Sequence, residues 1–373
     1  MRRETIKSPS SETPQAGRIF AQVRRMRHAL AIGAMALALS GCMALDADDV
    51  REPPPIPAKL IAAMAKNGSK PESPVLIRIF KQESELEVWK QNKQGQYALL
   101  KSYPMCRWSG KLGPKMKAGD RQAPEGFYHV SAGMLNPKSQ YFLSFNLGYP
   151  NRLESALGYT GEALMVHGAC SSSGCYAMTD QGVGEIYSVV QRALAGGQGT
   201  FQVQAYPFRM TAENMAKHRG DPNFDFWKNI KQGYDIFEAT KRQPKVSACG
   251  RRYVFNTDFA DGEPSDPLAA CPAAISTPDA GLVARLQSED AKLAGMMTNQ
   301  TSAPLNAYVD GGMHPTSGRF LRKTVLKSWP RRSRELSTLS ADPKRRWRTP
   351  TPACDRSVGW RRTIDLKGRL HRR

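Results

Sequence analysis

The chain has 373 residues and a formal net charge of +21, with 54 Lys and Arg against 33 Asp and Glu. This length is enough for one or two domains with a sizeable buried core. A strongly basic chain suggests a nucleic-acid partner, but from His314 to the last residue 18 Lys and Arg stand against 4 acids. Most of the excess charge therefore belongs to a C-terminal tail, and no nucleic-acid partner is expected for the remainder.

The N-terminal segment, residues 1–42, has the pattern of an export signal. Three arginines between residues 24 and 27 precede the apolar run 29–39, which is too short to cross a bilayer as a permanent helix. Small residues and Cys42 follow, as in a bacterial lipobox, which predicts lipidation of Cys42; an ordinary cleaved signal with an incidental cysteine is the alternative. Since Met26 stands where such a signal normally begins, the residues before it would be an upstream mis-start. We expect a periplasmic protein that a lipid anchors to the outer membrane.

Residues 43–74 are predicted to form a Pro-rich linker with a short helix. The segment 51–57 contains four prolines, which fix φ and lack an N–H, so it should be stiff and extended. Such a linker would hold the following domain away from a membrane surface.

Short runs rich in β-branched and aromatic residues follow, bounded by polar turns. They predict strands over 75–80, 85–90, 97–100, 127–130, 141–145, 163–166 and 201–206. Apolar residues between the last two strands recur at helical spacing over 179–194, and Thr179 or Asp180 would serve as the N-cap. The pattern indicates a mainly β domain with one or two short helices.

Residues 207–313 are predicted to be a helical C-terminal extension. From Thr211 to Thr240 the pattern is helical with an aromatic face, which favours a cap packed on the sheet; a ligand-binding groove is the alternative. Cys249 and Cys271 lie near short strand-like runs, and in an oxidising compartment they are expected to form a disulfide.

The basic tail, residues 314–373, has little apolar periodicity and carries Pro330, Pro343, Pro350 and Pro352. It is expected to be disordered, because it cannot bury enough surface to fold on its own. A frame-shifted end and a small folded appendage are the alternatives.

The candidate site combines an imidazole with a thiol. His167 and Cys175 stand eight residues apart, separated by Gly and small hydroxylated residues. A Cys attacks only as the thiolate, so it needs a base such as His167. Cys175 is favoured over Cys170 because it follows Ser173 and Gly174 and precedes the predicted helix, whose N-terminal partial positive charge stabilises a thiolate.

The same residues could also bind zinc. The spacing of His167, Cys170 and Cys175 offers one imidazole and two thiolates. A structural zinc needs a fourth ligand at a defined spacing, and no second paired motif stands nearby. We therefore expect no metal and no other cofactor.

The block around His167 and Cys175 resembles the YkuD-type L,D-transpeptidases, bacterial cell-wall enzymes with a catalytic cysteine. The similarity is closest to their YafK-like branch, in which Tyr-Ala-Met-Thr follows the cysteine. Further blocks that fit this branch are 106–115, 119–128 and 144–151, which together place the catalytic domain at 75–206. The resemblance implies a YkuD-like β-sandwich or barrel with short helices, followed by a small helical or α+β extension.

The resemblance also implies a reaction. His167 would take the thiol proton, and Cys175 would attack the carbonyl on the L-centre of meso-diaminopimelate in a murein stem peptide. Backbone N–H groups near Gly174 would hold the oxyanion. An amine would then resolve the thioester, which is a transpeptidation that serves peptidoglycan synthesis and remodelling and cell wall organisation.

Neighbouring residues complete the predicted site. Gly168 would make room in the site loop, and Ser173 would contribute a hydroxyl there or be simply a small turn residue. Cys170 would either line the oxyanion loop or pair with Cys106.

One departure from the family pattern concerns donor recognition. The commoner motif has an Arg shortly after the cysteine, where this chain has Ala177 and Met178. Another cation must then bind the donor peptide, and the candidates are Arg107, Lys111, Lys115 and Arg121. A thiol amidase that hydrolyses a diaminopimelate amide, for example to a wall-anchored protein, is an alternative function. A peptidoglycan-binding lipoprotein without activity is an alternative of another class.

Overall fold

Two five-stranded sheets and a hairpin organise the part of the chain that the computed structural model describes, residues 50–276, 279–299 and 311–317. The described residues from Glu52 onwards cluster as one unit. The strands are β1 (Val75–Phe80), β2 (Glu85–Gln91), β3 (Tyr97–Pro104), β4 (Arg107–Trp108), β5 (Gly126–Ser131), β6 (Leu135–Asn136), β7 (Ser144–Asn146), β8 (Met165–His167), β9 (Tyr176–Ala177), β10 (Thr200–Tyr206), β11 (Val246–Cys249) and β12 (Arg252–Phe255). The helices are α1 (Ala58–Lys66), α2 (Arg152–Ala156), α3 (Asp180–Ala195), α4 (Ala212–Lys217), α5 (Phe224–Thr240) and α6 (Ala280–Asn299).

The first sheet, which we call the long-strand sheet, has the order β3-β2-β1-β10-β5. β1 runs parallel to β10 and antiparallel to β2, and every side chain of β1 is buried. Ile77 and Ile79 share a core cluster with α3, while Leu76 on the opposite face packs with Phe237 of α5. A strand covered on both faces needs a nearly continuous apolar run, which explains the sequence of β1.

The second sheet, which we call the short-strand sheet, has the order β4-β9-β8-β7-β6. Its strands are two or three residues long. β8 and β9 pair in parallel, with Val166 opposite Tyr176 and His167 opposite Ala177. Since Val166 and Tyr176 belong to the main core cluster, alternation directs His167 and Ala177 to the other face of the sheet.

Helix α3 follows β9 and supports both sheets. Thr179 caps it, because its hydroxyl accepts the N–H of Gly182 at 3.0 Å. The apolar residues at helical spacing, Val183, Ile186 and Val190, lie in the main core cluster. The helix predicted over 179–194 is confirmed, with a shift of one residue at each end.

The C-terminal extension forms a cap on the long-strand sheet. The helical stretch predicted over 211–240 is two helices, because Gly220, Asp221 and Pro222 interrupt the pattern between α4 and α5. Aromatic side chains from the sheet and from α5 share a second core cluster, which includes Phe80, Phe127, Tyr206, Trp227 and Tyr234. Cys249 and Cys271 are joined by a disulfide beside the β11–β12 hairpin.

Segments predicted to stand apart from the fold pack against it. Ser188 of α3 donates to the Pro54 carbonyl oxygen at 2.5 Å, so this part of the linker lies on α3 rather than extending freely. The Trp108 N–H donates to the Gly312 carbonyl, and the His314 N–H to the Met105 carbonyl, both at 3.1 Å. The predicted boundary between residues 313 and 314 therefore cuts through a segment bound to β4.

The predicted fold class, mainly β with short helices and an α+β extension, is confirmed. The strand predicted over 141–145 begins only at Ser144. Phe142 adopts a left-handed φ of 70°, and the Tyr141 carbonyl accepts the Gly168 N–H instead of a strand partner. β4, β9 and α2 were not predicted, because elements this short carry no periodicity.

The predicted signal segment, Cys42 and the tail from residue 318 lie outside the described residues. Within the described ranges, no helix combines the length and apolar character that a membrane crossing requires.

Candidate active site

The predicted nucleophile and base stand on adjacent strands of the short-strand sheet. His167 is the last residue of β8, and Cys175 directly precedes β9. His167 lies opposite Ala177 in this parallel pair. Because side chains alternate along a strand, Ala177 projects from the same face as His167, and the same alternation predicts that face for Cys175. The parallel pairing thus brings together two chain segments that lie eight positions apart in sequence.

His167 is buried and held in one orientation. It is 3 % exposed, and its ring centroid lies 4.9 Å from that of Tyr141. Its Nδ1 lies 2.7 Å from the Gly168 carbonyl oxygen. Because a carbonyl can only accept, we assign the ring proton to Nδ1, which leaves the lone pair of Nε2 free to act as a base.

Burial also sets the charge of this imidazole. It lowers the pKa of His167 below the ordinary 6.5, and the hydrogen bond to the Gly168 carbonyl opposes the shift in part. The ring is therefore neutral at pH 7, which is the form that a general base needs.

Cys175 is the one cysteine of the described residues that is not in a disulfide, and it is 5 % exposed. Its Sγ lies 4.0 Å from the Ala163 carbonyl oxygen, as a weak S–H donor would. The backbone at Ala163 is left-handed, with φ of 55°. The segment that leads into β8 thus covers the thiol.

Ser172 organises the turn that presents the nucleophile. Its hydroxyl donates to the Cys175 carbonyl oxygen at 2.6 Å and accepts from Ser109 Oγ at 3.0 Å. It also accepts the Gly174 N–H at 3.3 Å. Gly174 has φ of 128°, a backbone conformation that other residues rarely adopt, so a glycine is needed there. Ser173, for which the sequence left open a site hydroxyl or a small turn residue, is exposed.

Gly168 makes room in the loop after β8, as the resemblance implied. A Cβ at this position would come within 2.5 Å of Asp180 Oδ1 and 2.9 Å of the Tyr141 carbonyl oxygen. The Ala169 N–H donates to the same Asp180 Oδ1 at 2.7 Å. A larger residue at 168 would displace the carboxylate that anchors this loop.

Cys170 is bonded to Cys106, which is one of the two roles predicted for it. Cys106 immediately precedes β4, so the disulfide ties the loop after His167 to the edge strand of the sheet. The Cys170 sulfur is therefore not available as a thiolate. The alternative zinc site of His167, Cys170 and Cys175 thus lacks one of its three ligands. No group of three or more His, Cys, Asp and Glu suited to a metal occurs in the described part of the chain.

Two of the predicted donor-binding cations lie beside the site. Arg107 on β4 pairs with Ala177, so that Arg107, Ala177 and His167 form one row across three strands. It is exposed. Arg121 is exposed as well, and its Cα lies 3.9 Å from where a Cβ on Gly174 would be. Both residues border the face that carries the thiol and the imidazole.

The two lysine candidates differ in how they are held. Lys115 is buried and forms an ion pair with Asp120, with 2.5 Å between Nζ and Oδ1. Its charge is therefore compensated. Lys111 is exposed, and its backbone N–H and carbonyl both bond the side-chain amide of Gln122.

A buried ion pair connects the long-strand sheet to the loop that carries these cations. Lys81 and Glu125 are both fully buried, with Nζ 2.8 Å from Oε1. Lys81 also donates to the carbonyls of Gly113 and Ala123, each at 3.0 Å. Burial lowers the pKa of Lys81, and the charge of Glu125 opposes that shift. The pair fixes the loop between β4 and β5 against the core.

Comparison with known proteins supplies the family. Over 182 residues, the chain is 50 % identical to "Putative L,D-transpeptidase YafK" of Escherichia coli strain K12, a match that covers 49 % of this chain and 74 % of that protein. The protein of the same name in Escherichia coli O157:H7 matches to the same extent. The chain belongs to the YafK-like L,D-transpeptidases. No protein-family model matches the chain.

Solved structures show weaker similarity to this YafK-like chain. The helical cell shape determining protein Pgp2 of Campylobacter jejuni is 18 % identical, with a TM-score of 0.30, over 50 % of this chain and 79 % of that one. Bd1075 of Bdellovibrio bacteriovorus is 15 % identical, with a TM-score of 0.26, over 47 % of this chain and 76 % of that one. No residue role is transferred from either.

Sequence reasoning missed three residues that shape this YafK-like site. Ser172 donates to the Cys175 carbonyl, Asp180 anchors the loop after His167, and Tyr141 packs on the imidazole. Ser172 could not be told from its neighbours in a run of three serines. The position of Asp180 before a helical pattern indicates only a helix cap. Its hydrogen bond with Ala169 joins residues eleven positions apart, and the folded chain is needed to bring them together.

Proposed function

We propose that the protein is a cysteine L,D-transpeptidase that acts on meso-diaminopimelate stem peptides of murein. One observation carries the proposal: a cysteine that is not in a disulfide directly precedes β9, and a neutral imidazole with its Nδ1 held by a backbone carbonyl ends the parallel neighbouring strand β8. Membership of the YafK-like family supplies the reaction class.

The first half-reaction forms a thioester. His167 Nε2 takes the proton of the Cys175 thiol, and the thiolate attacks the carbonyl on the L-centre of diaminopimelate. The carbon–nitrogen bond to the terminal D-residue breaks, and the proton held by His167 passes to the departing amine. Because the Gly168 carbonyl holds Nδ1–H, the ring needs no reorientation between taking and giving the proton.

Charge on the tetrahedral oxygen requires nearby donors. The backbone N–H groups of Gly174 and Cys175 are the proposed oxyanion donors. The Gly174 N–H now bonds Ser172 Oγ at 3.3 Å, a long contact that a negatively charged oxygen would replace favourably.

Donor recognition is proposed to use Arg107 and Arg121. Their positions beside Ala177 and Gly174 supply the positive charge that the family motif otherwise places shortly after the cysteine. Stem peptides carry carboxylates, which arginine binds through two parallel hydrogen bonds. Lys111 remains a third candidate, whereas Lys115 is already paired.

Hydrolysis of the same thioester is the second candidate function. Cys175 is 5 % exposed, and water reaches a shielded thioester more easily than an amine carried on a polymer. The amine leaves when the thioester forms, and water then converts the thioester to a carboxylate and restores the Cys175 thiol, so the net reaction cleaves a diaminopimelate amide, such as one that links a protein to the wall. We also propose that the protein works in the periplasm and is anchored through lipidated Cys42.

The test incubates the full chain, as wild type and Cys175→Ala, with diaminopimelate tetrapeptide muropeptides and an amine acceptor. Products are identified by mass. Cross-linked or exchanged product from the wild type alone supports transpeptidation, and release without joining supports hydrolysis. Equal product from the two proteins would refute a cysteine mechanism, and muropeptide binding by both proteins without any product would favour a binding lipoprotein.

A further inference from the structure

We propose that Asp180 and the Cys106–Cys170 disulfide are positioning devices that set the orientation and tautomer of His167 through the loop Gly168–Cys170. This inference rests on the proposed function, because it assigns these groups to the base of that reaction. None of the three side chains needs to touch the substrate. They act on the Gly168 carbonyl, which holds His167 Nδ1.

Asp180 binds the loop at its centre. Its Oδ1 accepts the Ala169 N–H at 2.7 Å and occupies the space that a side chain at Gly168 would fill. Ala169 is the residue directly after the orienting carbonyl, so this bond fixes the peptide plane that contains it. Asp180 is itself fixed, since it opens helix α3 right after the cap residue Thr179.

The disulfide binds the same loop at its far end. Cys170 is linked to Cys106, whose N–H donates to the Ala177 carbonyl at 2.9 Å. The Cys170 N–H donates to the Met178 carbonyl at 3.2 Å, and the Met178 N–H returns to the His167 carbonyl at 2.7 Å. The loop Gly168–Cys170 is therefore bound to the strand β9 region both by these backbone hydrogen bonds and by the disulfide.

The backbone of the loop explains why such anchors are needed. Ala169 has φ of 61° and Cys170 has φ of 49°, both in the left-handed region that residues with a Cβ disfavour. Strained residues of this kind persist only where surrounding contacts hold them. Without an anchor the two residues would relax, and the Gly168 carbonyl would turn away from the imidazole.

Loss of an anchor should change the tautomer of His167 more than the stability of the fold. An imidazole without the carbonyl partner can place its proton on either nitrogen, and only the Nδ1–H form leaves Nε2 free for the thiol. Tyr141 packs on the ring and so would keep it in place while its tautomer became mixed. Thiolate formation at Cys175 should therefore weaken without being abolished.

The experiment measures alkylation of Cys175 by iodoacetamide as a function of pH in the full chain. Peptide mapping by mass reads Cys175 separately from Cys42 and Cys354. The variants are His167→Gln, Asp180→Ala, Asp180→Asn and the double change Cys106→Ser with Cys170→Ser. Thermal unfolding of each variant establishes that it is folded at the assay temperature.

Matched controls separate a positioning role from a structural one. Asp225→Ala removes an acidic residue from the first turn of α5, and Cys249→Ser with Cys271→Ser removes the other disulfide. Asp180→Asn retains a side-chain oxygen that can accept the Ala169 N–H, so it should rescue the loss seen in Asp180→Ala.

In the wild type we expect alkylation at pH 7 to be at least about tenfold faster than in His167→Gln, because the neutral imidazole takes the thiol proton as the new bond to sulfur forms. Asp180→Ala and the Cys106/Cys170 double variant should slow alkylation at pH 7 about fivefold, the effect of losing one hydrogen bond. Asp180→Asn and the two controls should stay within about twofold of wild type.

Two results would overturn the proposal, and they are distinguishable. Faster alkylation in the wild type than in His167→Gln, together with an unchanged profile in both Asp180→Ala and the cysteine double variant, would remove the positioning role and leave the proposed function intact. Equal alkylation rates of the wild type and His167→Gln across the pH range would remove the activation of Cys175 by His167, and with it both proposals.

Discussion

The two sheets differ in how their geometry is maintained. The long-strand sheet has strands of six to eight residues, and its central strand is buried along its whole length. The short-strand sheet has strands of two or three residues and carries both the thiol and the imidazole. Its loops are held by single contacts, namely the Ser172 hydroxyl, the Asp180 carboxylate and the Cys106–Cys170 disulfide.

This difference indicates that the two sheets contribute unequally to the stability of the protein and to its reactivity. Burial over many residues stabilises the long-strand sheet, so a change there should lower the free energy of unfolding. The short-strand sheet shares the main core through Val166 and Tyr176, but the loops that carry its reactive atoms depend on a few polar contacts and a disulfide. A change in one of those loop contacts should alter reactivity more than stability.

The largest expected effect is that of the nucleophile. Cys175→Ala removes the atom that forms the thioester, so turnover of a diaminopimelate peptide should fall at least about 10³-fold. The melting temperature should change little, because one small side chain is replaced by another. Product formation measured by mass, beside a melting curve, checks both parts. Retained turnover would contradict the assignment of the chemistry to Cys175 in the short-strand sheet.

Replacing the base should give the next largest effect. His167→Gln removes the proton acceptor and should lower the rate by about 10² to 10⁴-fold. The wild-type rate should rise with pH through the lowered pKa of His167, with the midpoint of the rise below the ordinary 6.5, because the neutral ring is the active form. Rates measured between pH 4.5 and 8 test this, and an acid limb that persists in His167→Gln would exclude His167 as its source.

The buried ion pair tests the stability side of the comparison. Glu125→Gln leaves the Lys81 ammonium buried without a counter-charge, which should destabilise the protein by about 3–5 kcal/mol. Glu289→Gln in the exposed pair with Lys292 is the matched control and should change stability by less than about 1 kcal/mol. Denaturant unfolding measures both. Equal changes in the free energy of unfolding for Glu125→Gln and Glu289→Gln would show that the Lys81–Glu125 pair does not anchor the loop between β4 and β5.

A pair of adjacent serines gives a finer test within the short-strand sheet. Ser172→Ala leaves the buried Cys175 carbonyl without its partner, which should cost about 1–3 kcal/mol of stability. It also loosens the turn that presents the thiol, so the rate of product formation should fall. Ser173→Ala is exposed and should stay within about 0.5 kcal/mol of wild type. A larger loss in Ser173→Ala would restore the role predicted from the sequence.

A pH-dependent effect on stability is expected at Glu154. Burial raises the pKa of this carboxyl to about 7, so its folded-state pKa exceeds the ordinary 4.5. Stability from the protonated form is then fully present below pH 4.5 and lost as the pH rises through about 7. The wild type should lose stability between pH 5 and 8, and Glu154→Gln should lose less. Chemical unfolding at several pH values decides it.

The sequence predicted the long-strand sheet and α3 because their patterns extend over several residues. The apolar run of β1 and the helical spacing through Val183, Ile186 and Val190 indicate burial without any knowledge of partners. Membership of the family followed from ordered blocks of residues, and it is confirmed.

The sequence indicated which residue types form the candidate site, but not the residues that hold them in position. The spacing of His167 and Cys175 suggested a base and a nucleophile, yet β9 has two residues and no pattern of its own. The roles of Ser172 and Asp180 depend on contacts to backbone groups that only the folded chain brings together. Such contacts leave no periodic signal in a single sequence.

The most direct test of the central claim is to trap the acyl-enzyme. The full chain is incubated with a diaminopimelate tetrapeptide, quenched in acid and mapped by mass. We predict a stem-peptide adduct, shortened by its terminal D-residue, on the peptide that contains Cys175, and its release by hydroxylamine as expected for a thioester. Product formation with an adduct on another residue, or with none on Cys175 at any quench time, would contradict the account.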